Sequence, residues 1–157
     1  AIDRNGTTFS IEDIDVRDVI ESACDDIAYI DTKHITFEYS LQPTIIQANM
    51  NLIYIVINNL LSNAVKYSNE GAKIYVSCGE KDGKSYIRIQ DEGCGIEKEN
   101  ISKIFESFYR EKKDRNAEGF GLGLSQAMKI AELYGGGIYV ESTKNKGSIF
   151  TFFIPKP

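Results

Sequence analysis

The chain has 157 residues, 42% hydrophobic and 26% charged, with 18 Lys and Arg against 23 Asp and Glu for a net charge of −5. That length suffices for one domain with a sizeable core, no apolar run approaches the roughly 18 residues a membrane span needs, and the acidic balance argues against the clustered basic footprint of a nucleic-acid binder. Cys24, Cys78 and Cys94 are widely spaced, with no Cys-x-x-Cys and with His34 as the single histidine, which argues against a structural zinc and fits a reducing, cytoplasmic compartment.

No signal peptide is visible, so the sequons at Asn5 and Asn100 carry little weight, and Ala1 in place of a methionine points to a piece of a longer chain. Weak alternation from Thr7 to Ile11 predicts a short strand. Asp15 is then a plausible N-cap for a helix whose buried face carries Val16, Val19, Ile20, Ala23 and Ile27. From His34 to Leu41 the period is two, placing Ile35, Phe37, Tyr39 and Leu41 on one side of a strand that Gln42-Pro43 ends. His34, at the strand mouth with no acidic neighbour on a helix, reads as structural. Thr44 to Ala48 predicts another short strand.

The central element is a helix from about Leu52 to Lys66, with Asn49 or Asn51 as its cap. Taking Asn59 as zero on a wheel of ~100° per residue, Asn63 falls near ~40° and Lys66 near ~340°. Ile53, Val56, Ile57, Leu60 and Ala64 fill the neighbouring apolar arc. Two carboxamides one turn apart, an ammonium on the next turn and Tyr67 beside it offer a metal-phosphate group oxygen ligands, donors and one charge. The same stripe also suits an ordinary solvent edge.

Asn69-Glu70-Gly71 stops this helix, and Lys73 to Cys78 and Ser85 to Asp91 predict a hairpin about Asp82-Gly83. Asp91 shares the face of Ile87 and Ile89, so a buried carboxylate there must have a partner. Glu92-Gly93-Cys94-Gly95-Ile96 lets the backbone turn sharply and approach a flat ligand. Glu97 to Phe108 reads as partly helical, anchored by Ile101, Ile104, Phe105 and Phe108. The polar, aperiodic stretch at about 109–120 predicts a lid loop. Gly119-Phe120-Gly121-Leu122-Gly123-Leu124 then opens an amphipathic helix from Ser125 to Tyr134, whose N-terminal N–H groups suit a phosphate. Gly135-Gly136-Gly137 caps it, and Ile138 to Ser142 with Ser148 to Ile154 forms a closing hairpin. The fold class is α+β, a two-layer sandwich with one mixed, mostly antiparallel sheet of about five strands covered on one face by about three helices.

Neither a Walker phosphate loop nor the protein-kinase signature set is present. In chain order the sequence instead carries Asn59-x-x-x-Asn63-x-x-Lys66-Tyr67, Asp91-x-Gly93-x-Gly95-Ile96, Phe105-x-x-Phe108-Tyr109-Arg110, Gly119-x-Gly121-Leu122-Gly123-Leu124 and Lys146-Gly147-Ser148-x-Phe150. From about Phe9 to Pro155 this series resembles the ATP-binding catalytic domain of sensor histidine kinases in the GHKL superfamily, with its Bergerat-type fold. The resemblance implies one such domain over 1–157, with ATP and magnesium (Mg2+) as cofactors. It implies Asn63 as the magnesium ligand, Asn59 near metal and phosphates, Lys66 as a phosphate contact and Tyr67 along the adenine ring. Asp91 would accept the adenine amine, and Gly93, Gly95, Ile96, Phe108 and Ser148 would complete the nucleotide site. Gly119, Gly121, Leu122, Gly123 and Leu124 would hold the phosphates, and Arg110 would reach the terminal one. Asn59, Lys66 and Arg110 carry the catalytic roles.

The sequence departs from the commoner pattern at Ser107, where an arginine is frequent, at Asn49, often an aspartate, at Phe120, and at Tyr134, often a histidine. Ser107 puts a second phosphate-side cation in doubt. Hydrolytic members of the superfamily, such as gyrase and MutL proteins, carry a glutamate at the position of Asn59, and a neutral amide cannot take a proton from water. The resemblance therefore implies transfer to a histidine on a separate helical dimerisation domain of the same parent, with a response regulator downstream and no nucleic-acid or direct membrane contact by this domain. The parent is expected to be membrane-anchored. An anti-sigma-type serine kinase and a non-catalytic nucleotide-binding module are the alternatives.

Overall fold

A computed structural model describes residues 10–106 and 123–156. Strand β1 (Glu12–Asp15) leads into helix α1 (Val16–Ile30), then β2 (Thr36–Leu41), β3 (Ile45–Ala48), helix α2 (Met50–Lys66), β4 (Lys73–Lys81), β5 (Lys84–Asp91), helix α3 (Gly123–Leu133), β6 (Gly137–Thr143) and β7 (Gly147–Pro155). The main sheet runs β2-β4-β5-β7-β6. Its β2–β4 pair is parallel and the other three are antiparallel.

Alternation along the strands sends Ile74, Val76, Cys78, Ile87, Ile89, Phe150, Phe152 and Ile154 to one face, where they are buried against the three helices. Tyr75 and Tyr139 stand exposed on strand positions of opposite parity. Helix α2 is the middle of the helical layer, packed against α1 on one side and α3 on the other. Its arc of Ile53, Val56, Ile57, Leu60 and Ala64 is buried as the wheel requires, together with Leu61. The β4–β5 turn has positive φ at Asp82 (53°) and Gly83 (77°), the primed-turn geometry that matches strand twist.

Both long helices are capped by the expected residues. Asp15 accepts from the Arg17 main-chain N–H at 3.1 Å, and Asn49 Oδ1 accepts from Leu52 N–H at 3.2 Å. The two departures at Asn49 and Tyr134 meet: the Tyr134 hydroxyl accepts from the Asn49 main-chain N–H at 2.9 Å, tying the start of α2 to the end of α3.

Two expectations are corrected. The first strand is Glu12–Asp15, not Thr7 to Ile11; Ser10 and Ile11 are outside it, and 7–9 lie outside the described residues. It pairs antiparallel with β3 as a separate two-stranded sheet, so among the described residues a small second sheet accompanies the expected five-stranded one. Its sequence, Glu-Asp-Ile-Asp, follows partner geometry and not β propensity. The partly helical stretch expected from Glu97 holds one 3₁₀ turn, Lys98–Asn100, followed by turns to Glu106, and 107–108 lie outside the described residues. His34 has φ 57° ahead of β2 and sits exposed beside Glu70, with Nδ1 3.5 Å from Oε1.

Candidate functional site

Residues far apart in sequence converge at the C-terminal half of α2. Asn59, Asn63, Lys66 and Tyr67 are all half-buried along one edge of that helix. The edge is met by the start of α3. A Cβ built on Gly123 would lie 3.4 Å from Asn59 Oδ1, and Asn59 Nδ2 donates to Gln126 Oε1 at 3.4 Å. The asparagine stripe and the helix that the glycine box opens are thus one surface. Leu124 packs onto the core beside it. The Lys66 ammonium stands 5.4 Å from the centroid of the Tyr67 ring, within cation–π range.

The second wall comes from the end of β5. Asp91 is 5% exposed, and its Oδ1 accepts from Gly93 N–H at 2.9 Å. Burial pushes its carboxyl above the ordinary carboxylate range, against the opposing pull of the Gly93 and Ser148 main-chain N–H groups. Among the described residues no cation faces it, and two donors leave part of its acceptor capacity for a ligand. Gly93 has to be glycine because a Cβ there would lie 2.3 Å from the Tyr67 carbonyl oxygen. That approach sets Tyr67 against Asp91. Gly95 takes φ 69°, and a Cβ on it would lie 2.0 Å from the Thr143 carbonyl oxygen, so the turn is pressed onto the β6–β7 hairpin.

One residue outside the sequence reading joins these parts. Ser142 Oγ accepts from Ile96 N–H at 2.8 Å, donates to the Gly147 carbonyl at 3.0 Å and lies 2.8 Å from Ser148 Oγ. Its single proton goes to Gly147, so Ser148 donates to it. The signal in the sequence is faint: two serines facing each other across a hairpin, with Ser142 and Ser148 in register.

The arrangement therefore brings together Asn59, Asn63, Lys66, Tyr67, Asp91, Gly93, Gly95, Ile96, Gly123, Leu124 and Ser148. Phe108, Arg110, Gly119, Gly121 and Leu122, with the lid at 109–120, lie outside the described residues. No cluster of three or more His, Cys, Asp or Glu that could hold a metal exists among the described residues. A divalent ion here would rest on an amide oxygen and on the phosphates it accompanies, a donor set suited to magnesium and not to zinc. The residues present fit a purine nucleotide with that ion: an acceptor deep in the site, a tight glycine backbone beside an aromatic ring, and amides and an ammonium farther along.

Comparison with known proteins identifies the family and the fold. Residues 48–157 match the family model described as histidine kinase-, DNA gyrase B-, and HSP90-like ATPase. Sensor histidine kinase WalK of Bacillus subtilis is 38% identical over 114 residues, covering 70% of this chain and 19% of the relative. Adaptive-response sensory kinase SasA of Rippkaea orientalis is 43% identical over 114 residues, covering 72% of this chain and 29% of the relative. The chain thus spans less than a third of the length of these two relatives. Among solved structures, the mycobacterial sensor histidine kinase MprB superposes with a TM-score of 0.83 at 25% identity, over 93% of this chain and 98% of the other. The nucleotide-free catalytic domain of histidine kinase ThkA gives 0.82 at 28% identity, over 94% and 99%. The chain belongs to the histidine kinase-, DNA gyrase B- and HSP90-like ATPase family and, within it, to the sensor histidine kinase catalytic domains.

Proposed function

We propose that this chain binds magnesium-ATP and presents the terminal phosphate to a histidine on a separate helical dimerisation domain of the same parent protein, for onward passage to a response regulator. The observation that carries the reading is Asp91. It is a buried carboxylate without a cation among the described residues, held by main-chain N–H groups at the floor of a site whose other wall is the asparagine stripe of α2.

When bound, magnesium-ATP supplies the transferable phosphoryl group and the metal's charge. Asp91 would accept the adenine amine and Tyr67 would line the ring, with Gly95 and Ile96 completing the purine pocket. Asn63 would offer the magnesium an amide oxygen, while Lys66 and Arg110 would neutralise phosphate charge. The main-chain N–H groups from Gly121 to Leu124 would hold the phosphates. Asn59 is neutral, so the site orients a phosphoryl group without a base to deprotonate water, which favours transfer over hydrolysis. The parent is placed in the cytoplasm on its catalytic side and anchored in the membrane elsewhere; among the described residues no helix is long and apolar enough to cross one.

The test mixes this chain with the dimerisation domain of its parent and ATP labelled on the terminal phosphate. Label on the partner that is lost in acid and kept in base is the expected result. Acid-stable label moves the activity to a hydroxyl, and ATP binding with no transfer leaves a nucleotide-binding module.

A further inference from the structure

Helix α2 ends at Lys66, where the Val65 carbonyl already accepts from Ser68 N–H at 3.2 Å and no further helical turn follows. Lys33, in the loop between α1 and β2, adds a charged donor to this end. Its Nζ donates to the carbonyls of Val65 at 2.9 Å, Lys66 at 2.9 Å and Ser68 at 3.0 Å, which uses all three ammonium hydrogens. The positive charge sits at the negative end of the helix dipole.

The loop that carries this ammonium is itself fixed. Asp31 accepts from Lys33 N–H at 2.9 Å and from Ile35 N–H at 2.8 Å, and the Lys33 carbonyl accepts from Gly71 N–H at 2.7 Å. Lys33 is therefore held on both sides of its own Cα. The carbonyl of Tyr67 is not among its three acceptors and is the one pressed toward Gly93. The chain just after α2 is thus set by Lys33, which draws in the carbonyls of Val65, Lys66 and Ser68, by Ser68, whose Oγ donates to the Ala64 carbonyl at 2.7 Å, and by the close approach of the Tyr67 carbonyl to the Gly93 backbone.

We propose that Lys33 is a positioning residue of the nucleotide site: by clamping the last carbonyls of α2 it fixes where Lys66 and Tyr67 stand relative to Asp91. The inference rests on the nucleotide-site reading above and extends it to a residue that touches no ligand. Lys33 lines a groove of about 330 Å3 with Ile27, Ile30 and Val65, apolar neighbours that suit an uncharged side chain of equal length.

The experiment measures magnesium-ATP affinity by calorimetry, well below the melting temperature of each protein, for the wild-type chain and for Lys33→Met, Lys33→Gln and Lys33→Arg. Amide hydrogen exchange at Tyr67 and Ser68 is followed without nucleotide. Removing the charge is expected to raise Kd about tenfold and to speed exchange at both amides, with Lys33→Arg recovering most of each; Lys33→Gln carries the measurement if Lys33→Met does not fold. Faster exchange with wild-type Kd would reduce Lys33 to a local helix cap and overturn the inference, as would no change in either. A wild-type chain that binds no magnesium-ATP would overturn the nucleotide-site reading itself, an outcome visible before any variant is made.

Discussion

Asp91 is a buried carboxylate at the floor of the proposed nucleotide site. A carboxylate this deep, facing main-chain donors and no cation among the described residues, has its pKa raised by burial above the ordinary value of 3.8. In the window between 3.8 and that raised pKa the native state holds more protons than the unfolded chain, so the contribution of this group to stability is present below the window and lost as pH rises through it. In the proposed site, nucleotide binding would have the opposite sign, because an ionised carboxylate is the better acceptor of an adenine amine. Asp91→Asn should therefore keep or slightly raise stability at neutral pH while weakening ATP binding by about 1.5–3 kcal/mol and erasing the preference for adenine over guanine. Denaturation curves and nucleotide titrations on the same samples check both halves; a variant that still prefers adenine would show that the purine is read elsewhere. The Asp91-x-Gly93-x-Gly95 series is legible in sequence because its chemistry is local. Ser142 and Lys33 are not, since each acts on chain 32 to 46 residues away through geometry that only folding creates.

Among the elements, the β6–β7 hairpin does more than close the sheet. Through Ser142 it carries the Ile96 end of the glycine turn and Ser148 as well, and the Gly147–Ser148 segment lies against Asp91. Ser142→Ala leaves the Ile96 N–H and the Ser148 hydroxyl without their acceptor and should cost about 1–3 kcal/mol, read by urea unfolding. Nucleotide affinity should fall with it, since the turn beside Asp91 loses a tether; unchanged affinity would show that the glycine turn holds its shape alone. Helix α2 was readable because its period, cap and apolar arc agree with one another. Strand β1 was not, because Glu-Asp-Ile-Asp has weak β propensity and takes its ladder from β3. The partly helical stretch expected after Glu97 is met by the 3₁₀ turn Lys98–Asn100, beyond which Ile101, Ile104 and Phe105 sit on turns.

For the whole molecule, the net charge of −5 means that any bound polyphosphate depends on a local set of donors and not on a basic surface. Binding should then be visible as stabilisation of the whole fold. Magnesium-ATP at 100 times its Kd is expected to add about 2.7 kcal/mol and raise the melting temperature by roughly 5–10 °C, with most of the shift lost on chelation. In Asn63→Ala the magnesium-dependent part should shrink; equal shifts with and without the metal would remove the ligand role from Asn63. The sequence by itself determined the α+β class, the two capped helices, the hairpins and the order of the glycine and asparagine boxes, because those depend on periodicity, caps and turn chemistry acting within a few residues. Tertiary structure alone decided that Gly123 comes to Asn59, that Gly93 fits under the Tyr67 carbonyl, that Asn49 meets Tyr134, that Lys33 reaches the end of α2 and that Ser142 meets the glycine turn. Those are contacts between segments whose approach is set by how the three helices cover the sheet, and packing, unlike helix or strand period, leaves no local mark on the chain.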